Sequence, residues 1–466
     1  MIKKRTIAKI LLLCGDFVLL YAALGATLFL RYYQNPDWQI IRQHLIPFTA
    51  IFLLWLILFG AFGLYDLKFM RNSKRFLYRL LQAEAANMIA AILILYAILP
   101  VIVIEPRRNL LLVALIGVAL IFAWRSLFNL LIIRTKGSRI MFFGVTREAL
   151  ELANFLLKHP QLGQKPVAFM SANGNGTASS LPLPGLESGG EIPHFVADQN
   201  ITSLIKNLGV DTVVILREIK ENKTLVKLLF EALPLGISVA EFPAFHEAMT
   251  GKIPLSMVGE IWFLENLIGT KKPFYDFFKR GLDLATALIL TIPAFLLFPL
   301  IAAAIKLDSE GPIFYRQKRV GRHGKEFGVF KYRSMVKDAE KMSGLKETEK
   351  DPRHTRVGPF LRRSYLDELP QIINIVAGEI SFVGPRPERP EHIKELKEKV
   401  PFYEMRLLAT PGITGWAQIH MENDASVEDA PEKMQYDLYY VKHRSFVLDL
   451  LIILRTIFII LRREGR

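Results

Sequence analysis

The apolar positions fall into long runs, not the short repeats of a soluble core. Four runs lie near the start, at about 8–31, 45–64, 80–104 and 109–133. Each is long enough to cross a hydrocarbon layer of about 30 Å as a helix rising about 1.5 Å per residue. The intervening polar stretches carry a charge bias. Lys3, Lys4 and Arg5 precede the first run, Lys68, Arg71, Lys74, Arg75 and Arg79 separate the second from the third, and Arg134, Lys136 and Arg139 follow the fourth. This alternation predicts four spans with the N-terminus and everything after the fourth span inside, although Arg107 and Arg108 on the outer side run against it. The first run is too long for a cleaved signal peptide, and no small-residue cleavage site follows it.

The pattern then changes to short buried runs. Ser138–Gly144 predicts a strand ending in a glycine turn, a helical repeat continues to about His159, and Asp211–Leu216 predicts a second strand. The stretch from 138 to about 250 is thus expected to be a doubly wound α/β unit. The turn after Gly144 lacks the further glycines of a dinucleotide site, which favours a regulatory or dimer-supporting module. Residues 171–193, rich in Gly, Ser and Pro, predict a long loop inside it.

Leu284–Ile305 is again long enough to cross. Crossing would place Arg316, Lys318, Arg319, Arg322, Lys331 and Arg333 outside, against the bias of the other loops. Pro293, near its middle, removes a backbone hydrogen bond and predicts a bend, so a re-entrant hairpin over about 280–306 is expected. The last apolar run places Asp449, Thr456 and Arg463 on nearly one helical face, predicting an interfacial helix.

Composition adds little to this picture except charge. Of 466 residues 51% are hydrophobic, as a membrane protein requires, and the formal net charge of +15 calls for an anionic partner. With four spans, that partner is expected to be a lipid surface and not nucleic acid. The single cysteine, Cys14, lies in the first span, which excludes disulfides and thiolate metal sites within the chain and predicts a packing role.

The candidate chemistry sits at 361–390. Asp367 and Glu368 are adjacent carboxylates, followed by the proline-fixed turn Pro385-Arg386-Pro387-Glu388. Successive helix residues point about 100° apart, so one carboxylate can face a phosphorus and the other a metal ion, while Arg386 holds a diphosphate oxygen. The plainer alternative is a solvated acidic pair at a helix start. Pro370 requires that a helix begin near Asp367 or kink there, and Leu366, Leu369, Ile373 and Val376 are expected to bury one face. Upstream, Arg316, Lys318, Arg319 and Arg322 flank the glycines at 321 and 324, and Lys331 and Arg333 follow on a strand-like segment. They would neutralise anionic ligands, with Lys331 and Arg333 foremost. The histidines show no metal-ligand spacing.

From about residue 272 onward the chain resembles the bacterial sugar transferases, the polyprenyl-phosphate sugar-1-phosphate transferases that start surface polysaccharides. The resemblance rests on Lys279-Arg280-x-x-Asp283, Phe314–Gly321, Lys331–Met335, Leu366–Gln371, Val383–Glu388 and Pro411–Gln418. Tyr365 departs from it, standing where the family more often has serine or threonine. The resemblance implies that Asp367 attacks the sugar-bearing phosphate of a UDP-sugar, that UMP leaves, and that polyprenyl (undecaprenyl) phosphate takes up the phosphosugar. It implies further that Glu368 holds Mg²⁺, that Arg386 and Arg362 clamp phosphate, and that Glu388 fixes arginine or metal geometry. Arg406 would stand beside an active-site wall at Pro411–Gly415, and Lys279, Arg280 and Asp283 would be anchors and lipid-headgroup contacts. The middle unit resembles the Rossmann-like domain of the long family members.

The expected architecture is a four-helix transmembrane domain (1–135), a Rossmann-like α/β domain (136–268) and a monotopic, α-rich catalytic domain (269–466). The expected location is the bacterial inner membrane, with the catalytic domain on the cytosolic face and a homodimer allowed. A noncatalytic docking subunit is the main alternative, and a phospholipid-headgroup transferase is a weaker one, because the spans hold only Asp16 and Glu84 as acids. The sequence does not select the sugar.

Overall fold

The computed structural model describes residues 2–32, 37–65, 74–93, 105–134, 137–171, 179–182, 191–197, 201–216, 222–267, 272–336, 339, 353–421 and 429–462. The end of the third predicted span, most of the 171–193 loop, and Lys68, Arg71 and Arg463 lie outside them. The chain divides into two compact units, Met1–Thr250 and Gly251–Arg466.

The first unit opens with α1 (Ile2–Arg31), α2 (Trp38–Ala61), α3 (Lys74–Leu93) and α4 (Glu105–Arg134). All four contain stretches long and apolar enough to cross a membrane. Helices that are apolar all round gain little by hiding apolar surface from lipid, so polar groups inside the bundle fix their register. Asp16 of α1 pairs with Arg125 of α4, both completely buried, and the Arg125 guanidinium also donates to the Leu64 carbonyl and lies over the Tyr65 ring at 5.0 Å. A second group joins Arg31 to Asn109 at 2.6 Å and Asn109 to His44 at 2.7 Å. Cys14, expected to pack, is exposed, because Leu12, Asp16, Leu20 and Ala23 set the inward face of α1 and Cys14 falls on the other.

The remainder of this unit alternates strands and helices: β1 (Ser138–Phe143), α5 (Arg147–Lys158), β2 (Gln164–Ser171), β3 (Ser179–Pro182), β4 (Glu191–Val196), α6 (Ile201–Leu208), β5 (Thr212–Ile215), α7 (Lys223–Ala232), β6 (Ser238–Glu241) and α8 (Phe242–Thr250). The sheet order is β3-β4-β2-β1-β5-β6, parallel throughout except that β3 runs against β4. Parallel strands must be covered on both faces, which is why β1 reads as an unbroken buried run from Ile140 to Phe143. Where β1 ends, the backbone at Gly144 takes φ +115° and Leu216 fills the space a side chain would need. The start of α5 is capped by Thr146 Oγ1, which accepts from Ala149 N at 3.3 Å.

The second unit begins at Gly251, within the stretch 136–268 assigned to the expected α/β domain. Residues 251–267, including α9 (Glu260–Leu267), fold onto it: Ile253 N donates to Gln435 O at 3.1 Å and Phe263 meets Phe402 with ring centres 4.6 Å apart. Then come α10 (Pro273–Asp308), the antiparallel hairpin β7 (Phe314–Val320) and β8 (Glu326–Tyr332), α11 (Gly358–Arg363), a 3-10 turn (Leu366–Gln371) and α12 (Ile372–Ala377). β9 (Ser381–Val383), α13 (Pro390–Lys399), β10 (Gly412–Thr414), α14 (Ala430–His443) and α15 (Phe446–Arg462) complete it.

Both ends of α10 are held by this one body. Near its start Lys279 donates to Val383 O (2.9 Å) and Asp449 (2.8 Å), Arg280 to Ile375 O (2.6 Å) and Val376 O (2.7 Å), and Asp283 accepts from Ser381 Oγ (2.8 Å) and Phe382 N (3.1 Å). Near its end Ile301 and Ile305 are buried with Tyr332 and Leu361, against Leu366 and Leu369. A straight helix would put Arg280 and Ile305 about 38 Å apart. Leu369 and Ile375, which reach the two ends, are separated by only about 10 Å of helical chain. The helix therefore bends, with Pro293 and Pro299 inside it removing backbone hydrogen bonds. Around Pro293 the flanking Leu288, Ile292, Phe295 and Leu296 are exposed.

Lys279, Arg280 and Asp283 thus anchor the start of α10 to protein groups. The polar side of α15 also faces inward: Asp449 is buried against Tyr275, Lys279 and Tyr440, and Thr456 bonds Thr414 at 2.6 Å, leaving Phe446, Val447 and Ile457 exposed.

Candidate active site

Tyr365 takes the left-handed conformation (φ 55°), an uncommon one for a bulky residue, and turns the chain into the 3-10 segment that carries Asp367 and Glu368. The 3-10 turn advances about 120° per residue against about 100° in an α-helix, so the phase drifts along the segment. Pro370, Gln371, Asn374 and Ile375 therefore point inward, whereas Ile373 and Val376, expected on the buried face, are exposed. Asn374 is fully buried and ties this segment to β8, accepting from Phe330 N at 3.0 Å and donating to Gly328 O at 2.8 Å.

That tie brings Lys331 of β8 onto the carboxylates. Lys331 Nζ lies 2.8 Å from Glu368 Oε1 and 4.0 Å from Asp367 Oδ2, and Arg386 Nη2 donates to Glu368 Oε1 at 3.4 Å. Asp367 and Glu368 are only 3% and 6% exposed, so this is not the solvated acidic pair of the plainer alternative. Burial lowers the Lys331 ammonium from its ordinary value, and the nearby Glu368 carboxylate works in the opposite direction.

Alternation on the hairpin sorts the basic residues. Tyr315, Gln317 and Arg319 share the Lys331 face, and Arg319 donates to Gln317 Oε1 (2.6 Å) and Pro387 O (3.0 Å). Burial, with Arg386 nearby, brings its guanidinium down to about 10. Arg316 is on the opposite face, its guanidinium 5.1 Å from the Phe330 ring centre. The two arginines predicted together as phosphate ligands thus look in different directions.

Other predicted residues are engaged elsewhere. Arg333 lies beyond the end of β8, is buried, and donates to Ser309 O (2.6 Å), Glu310 O (2.7 Å) and Ile305 O (3.3 Å), closing the C-terminus of α10. It is a helix cap, not a phosphate contact. Arg362 bonds His354 Nε2 at 2.7 Å. Glu388 faces Lys433 (2.7 Å), Arg406 (3.8 Å) and Arg319 (4.0 Å), so it fixes cations. Arg406 is buried behind the Pro-Arg-Pro turn and pairs with Asp437 at 2.8 Å. Pro411–Gly415, read as a turn, contains β10, which pairs in parallel with β9. Glycine is required where these backbones meet, since a side-chain carbon at Gly412 would lie 2.1 Å from Gly384 N.

Asn374, Lys433, Asp437 and Asp449 were missed by sequence reasoning. Asn374 left a signal, a polar residue inside Ile-Ile-Asn-Ile-Val, and the others resemble ordinary helix-surface charges.

A helix with an exposed apolar bend, clasped by a domain that presents buried carboxylates next to Lys331 and Arg386, defines a membrane-associated protein with a buried site of paired charges. The sequence model of the bacterial sugar transferases matches residues 274–463, and the chain belongs to that family. It is 37% identical over 236 residues to the UDP-N-acetylgalactosamine-undecaprenyl-phosphate N-acetylgalactosaminephosphotransferase of Aeromonas hydrophila, covering 49% of this chain and 54% of that protein. It thus spans about half of that relative's length. With the UDP-glucose:undecaprenyl-phosphate glucose-1-phosphate transferase of Xanthomonas campestris pv. campestris it shares 30% identity over 332 residues, 70% of this chain and 67% of that protein. With the exopolysaccharide production protein PSS of Rhizobium leguminosarum bv. phaseoli it shares 41% over 193 residues, 38% of this chain and 92% of that protein.

Proposed function

We propose that the chain transfers a sugar-1-phosphate from a UDP-sugar to polyprenyl phosphate, undecaprenyl phosphate by analogy with the named relatives, at the cytosolic face of the bacterial inner membrane. The observation that carries this reading is the buried Asp367–Glu368 pair facing Lys331 and Arg386. A carboxylate oxygen of Asp367 attacks the sugar-bearing phosphorus, the bond to the UMP oxygen breaks, and UMP departs with the electron pair. The polyprenyl phosphate oxygen then attacks the same phosphorus and releases Asp367 as a carboxylate. Lys331 and Arg386 offset charge on the phosphate oxygens, which matters most where water is excluded. Mg²⁺, when bound with the diphosphate, would neutralise leaving-group charge. Glu368 is the carboxylate that would hold it, and substrate oxygens and water would complete the shell that this ion prefers. The bend of α10, with both ends held on one body and an exposed apolar tip, supports a re-entrant helix that lets lipid and nucleotide-sugar meet on one side.

The relatives' names differ in the sugar, N-acetylgalactosamine in one and glucose in another, and the proposed donor is a UDP-sugar. The test is UMP release from a panel of UDP-sugars by the full chain with polyprenyl phosphate, together with capture of a labelled phosphosugar adduct. Asp367→Asn should lose turnover and adduct together, by at least about 1,000-fold, because an amide cannot attack. An adduct that persists in Asp367→Asn would move the nucleophile elsewhere. A chain that releases no UMP from any of these donors would favour the docking-subunit alternative.

A further inference from the structure

The turn that presents Arg386 has an unusual set of restraints. Prolines at 385 and 387 leave it only the N–H groups of Arg386 and Glu388, so internal hydrogen bonds have few donors to draw on. All four consecutive carbonyls from 385 to 388 instead accept from other segments. Pro385 O takes Gly412 N at 3.1 Å, Arg386 O takes Arg406 Nη2 at 2.8 Å, Pro387 O takes Arg319 Nη1 at 3.0 Å, and Glu388 O takes Val320 N at 2.9 Å. Two of these donors are arginine side chains, which are well placed only if something holds them.

For Arg406 that something is α14. Lys433 and Asp437 stand four residues apart and therefore on one face of this helix. Asp437 Oδ2 lies 2.8 Å from Arg406 Nη2, with both side chains 2% exposed, and Lys433 Nζ lies 2.7 Å from Glu388 Oε1. One helix face thus holds the turn at two points on either side of Pro387, through the Arg386 carbonyl and through the Glu388 side chain. The guanidinium of Arg386, carried by this turn, reaches Glu368.

We propose that Asp437 and Lys433 are positioning residues for Arg386: they fix the backbone from which it reaches the carboxylate pair, and they act through Arg406 and Glu388. The inference rests on the proposed role of Arg386 at the substrate phosphates. In this arrangement Arg406 and Glu388 support the turn, Arg406 through the Arg386 carbonyl and Glu388 through Lys433.

The test is a double-mutant cycle on the full chain in lipid nanodiscs, reading UMP release (kcat and KM) and, separately from turnover, the dissociation constant for UDP-sugar. Asp437→Asn alone should lower kcat/KM by about 10-fold or more, and Asp437→Glu should restore part of it. In an Arg386→Ala background the same Asp437→Asn change should cost less than about 2-fold in turnover and in affinity, because the group it positions is gone. If Arg386→Ala leaves too little turnover, the affinity cycle carries the comparison. Should Asp437→Asn fail to fold, Lys433→Met keeps the Arg406–Asp437 pair and serves in the same cycle with the same expectation. Full, multiplicative losses in the double variants, or no loss in the single ones, would overturn the positioning role. Normal turnover and affinity in Arg386→Ala would instead overturn the site reading on which it rests.

Discussion

Glu388 shows how a single side chain can link stability to pH. Burial by itself raises its carboxyl, but Lys433 and Arg406 outweigh burial and bring it down to about 2 from an ordinary 4.5. A carboxyl depressed on folding stabilises the folded state fully above the unfolded value, and that contribution fades as pH falls through the folded value. It amounts to at most about 3 kcal/mol, fully present above about pH 4.5 and lost towards pH 2. Lys433→Met should raise the folded value, lower stability at neutral pH and flatten the decline between pH 4.5 and the acid limit. Thermal unfolding in detergent across that range measures the slope, and an unchanged slope would count against the ion pair. At this scale Asp367, Glu368 and Arg386 were readable because they are close in sequence and chemically unusual. Arg333 was not, because its partners are carbonyls at the end of a helix whose proximity depends on how α10 bends.

At the scale of elements, α10 is the one whose behaviour decides where the chemistry takes place. Apolar length made it look like a fifth span, and Pro293 with the charge bias suggested a hairpin. The contacts of Arg280 with α12 and of Ile305 with Tyr332 add that both ends are held by one domain. Cysteines at Glu265 and Lys318, placed before and after the helix in a Cys14→Ser background, should label from the same side of a sealed vesicle. Labelling from opposite sides would make α10 a true span. In the first unit, the completely buried Asp16–Arg125 pair holds α1 to α4. Truncating one partner leaves the other charge uncompensated, so Arg125→Ala should destabilise the bundle by about 3–5 kcal/mol, seen as a lower denaturation midpoint in detergent. Recovery of the native midpoint by Arg125→Ala with Asp16→Ala would identify the orphaned charge as the cause. The α15 periodicity was legible, but its polar residues face Tyr275, Tyr440 and Thr414, not water.

For the whole molecule, the division at Gly251 predicts which fragment can act alone. Every residue given a chemical role lies after it, and residues 251–267 contribute Ile253 and Phe263 to the core of the C-terminal unit. A protein of residues 251–466 in lipid should retain UMP release within about 10-fold of the full chain, whereas one starting at 269 should lose stability because it removes buried apolar side chains worth about 1.5–3 kcal/mol each. Comparing the two by thermal unfolding and turnover separates the cases. A folded but inactive 251–466 protein would show that the first unit completes the site.

The sequence by itself determined the elements whose cause is local. Apolar length set the membrane-competent helices, buried runs set the strands at 138–143 and 212–215, and the motifs placed the carboxylate pair and its arginine. Such features depend on residues a few positions apart. Tertiary structure alone decided which charges meet: Lys331 faces Glu368 because Asn374 joins α12 to β8, and Asp437 reaches the Arg386 turn because α14 packs behind it. Long basic and acidic side chains look alike along a chain, and only folding assigns one to the carboxylate pair, another to a helix end and a third to the back of a turn.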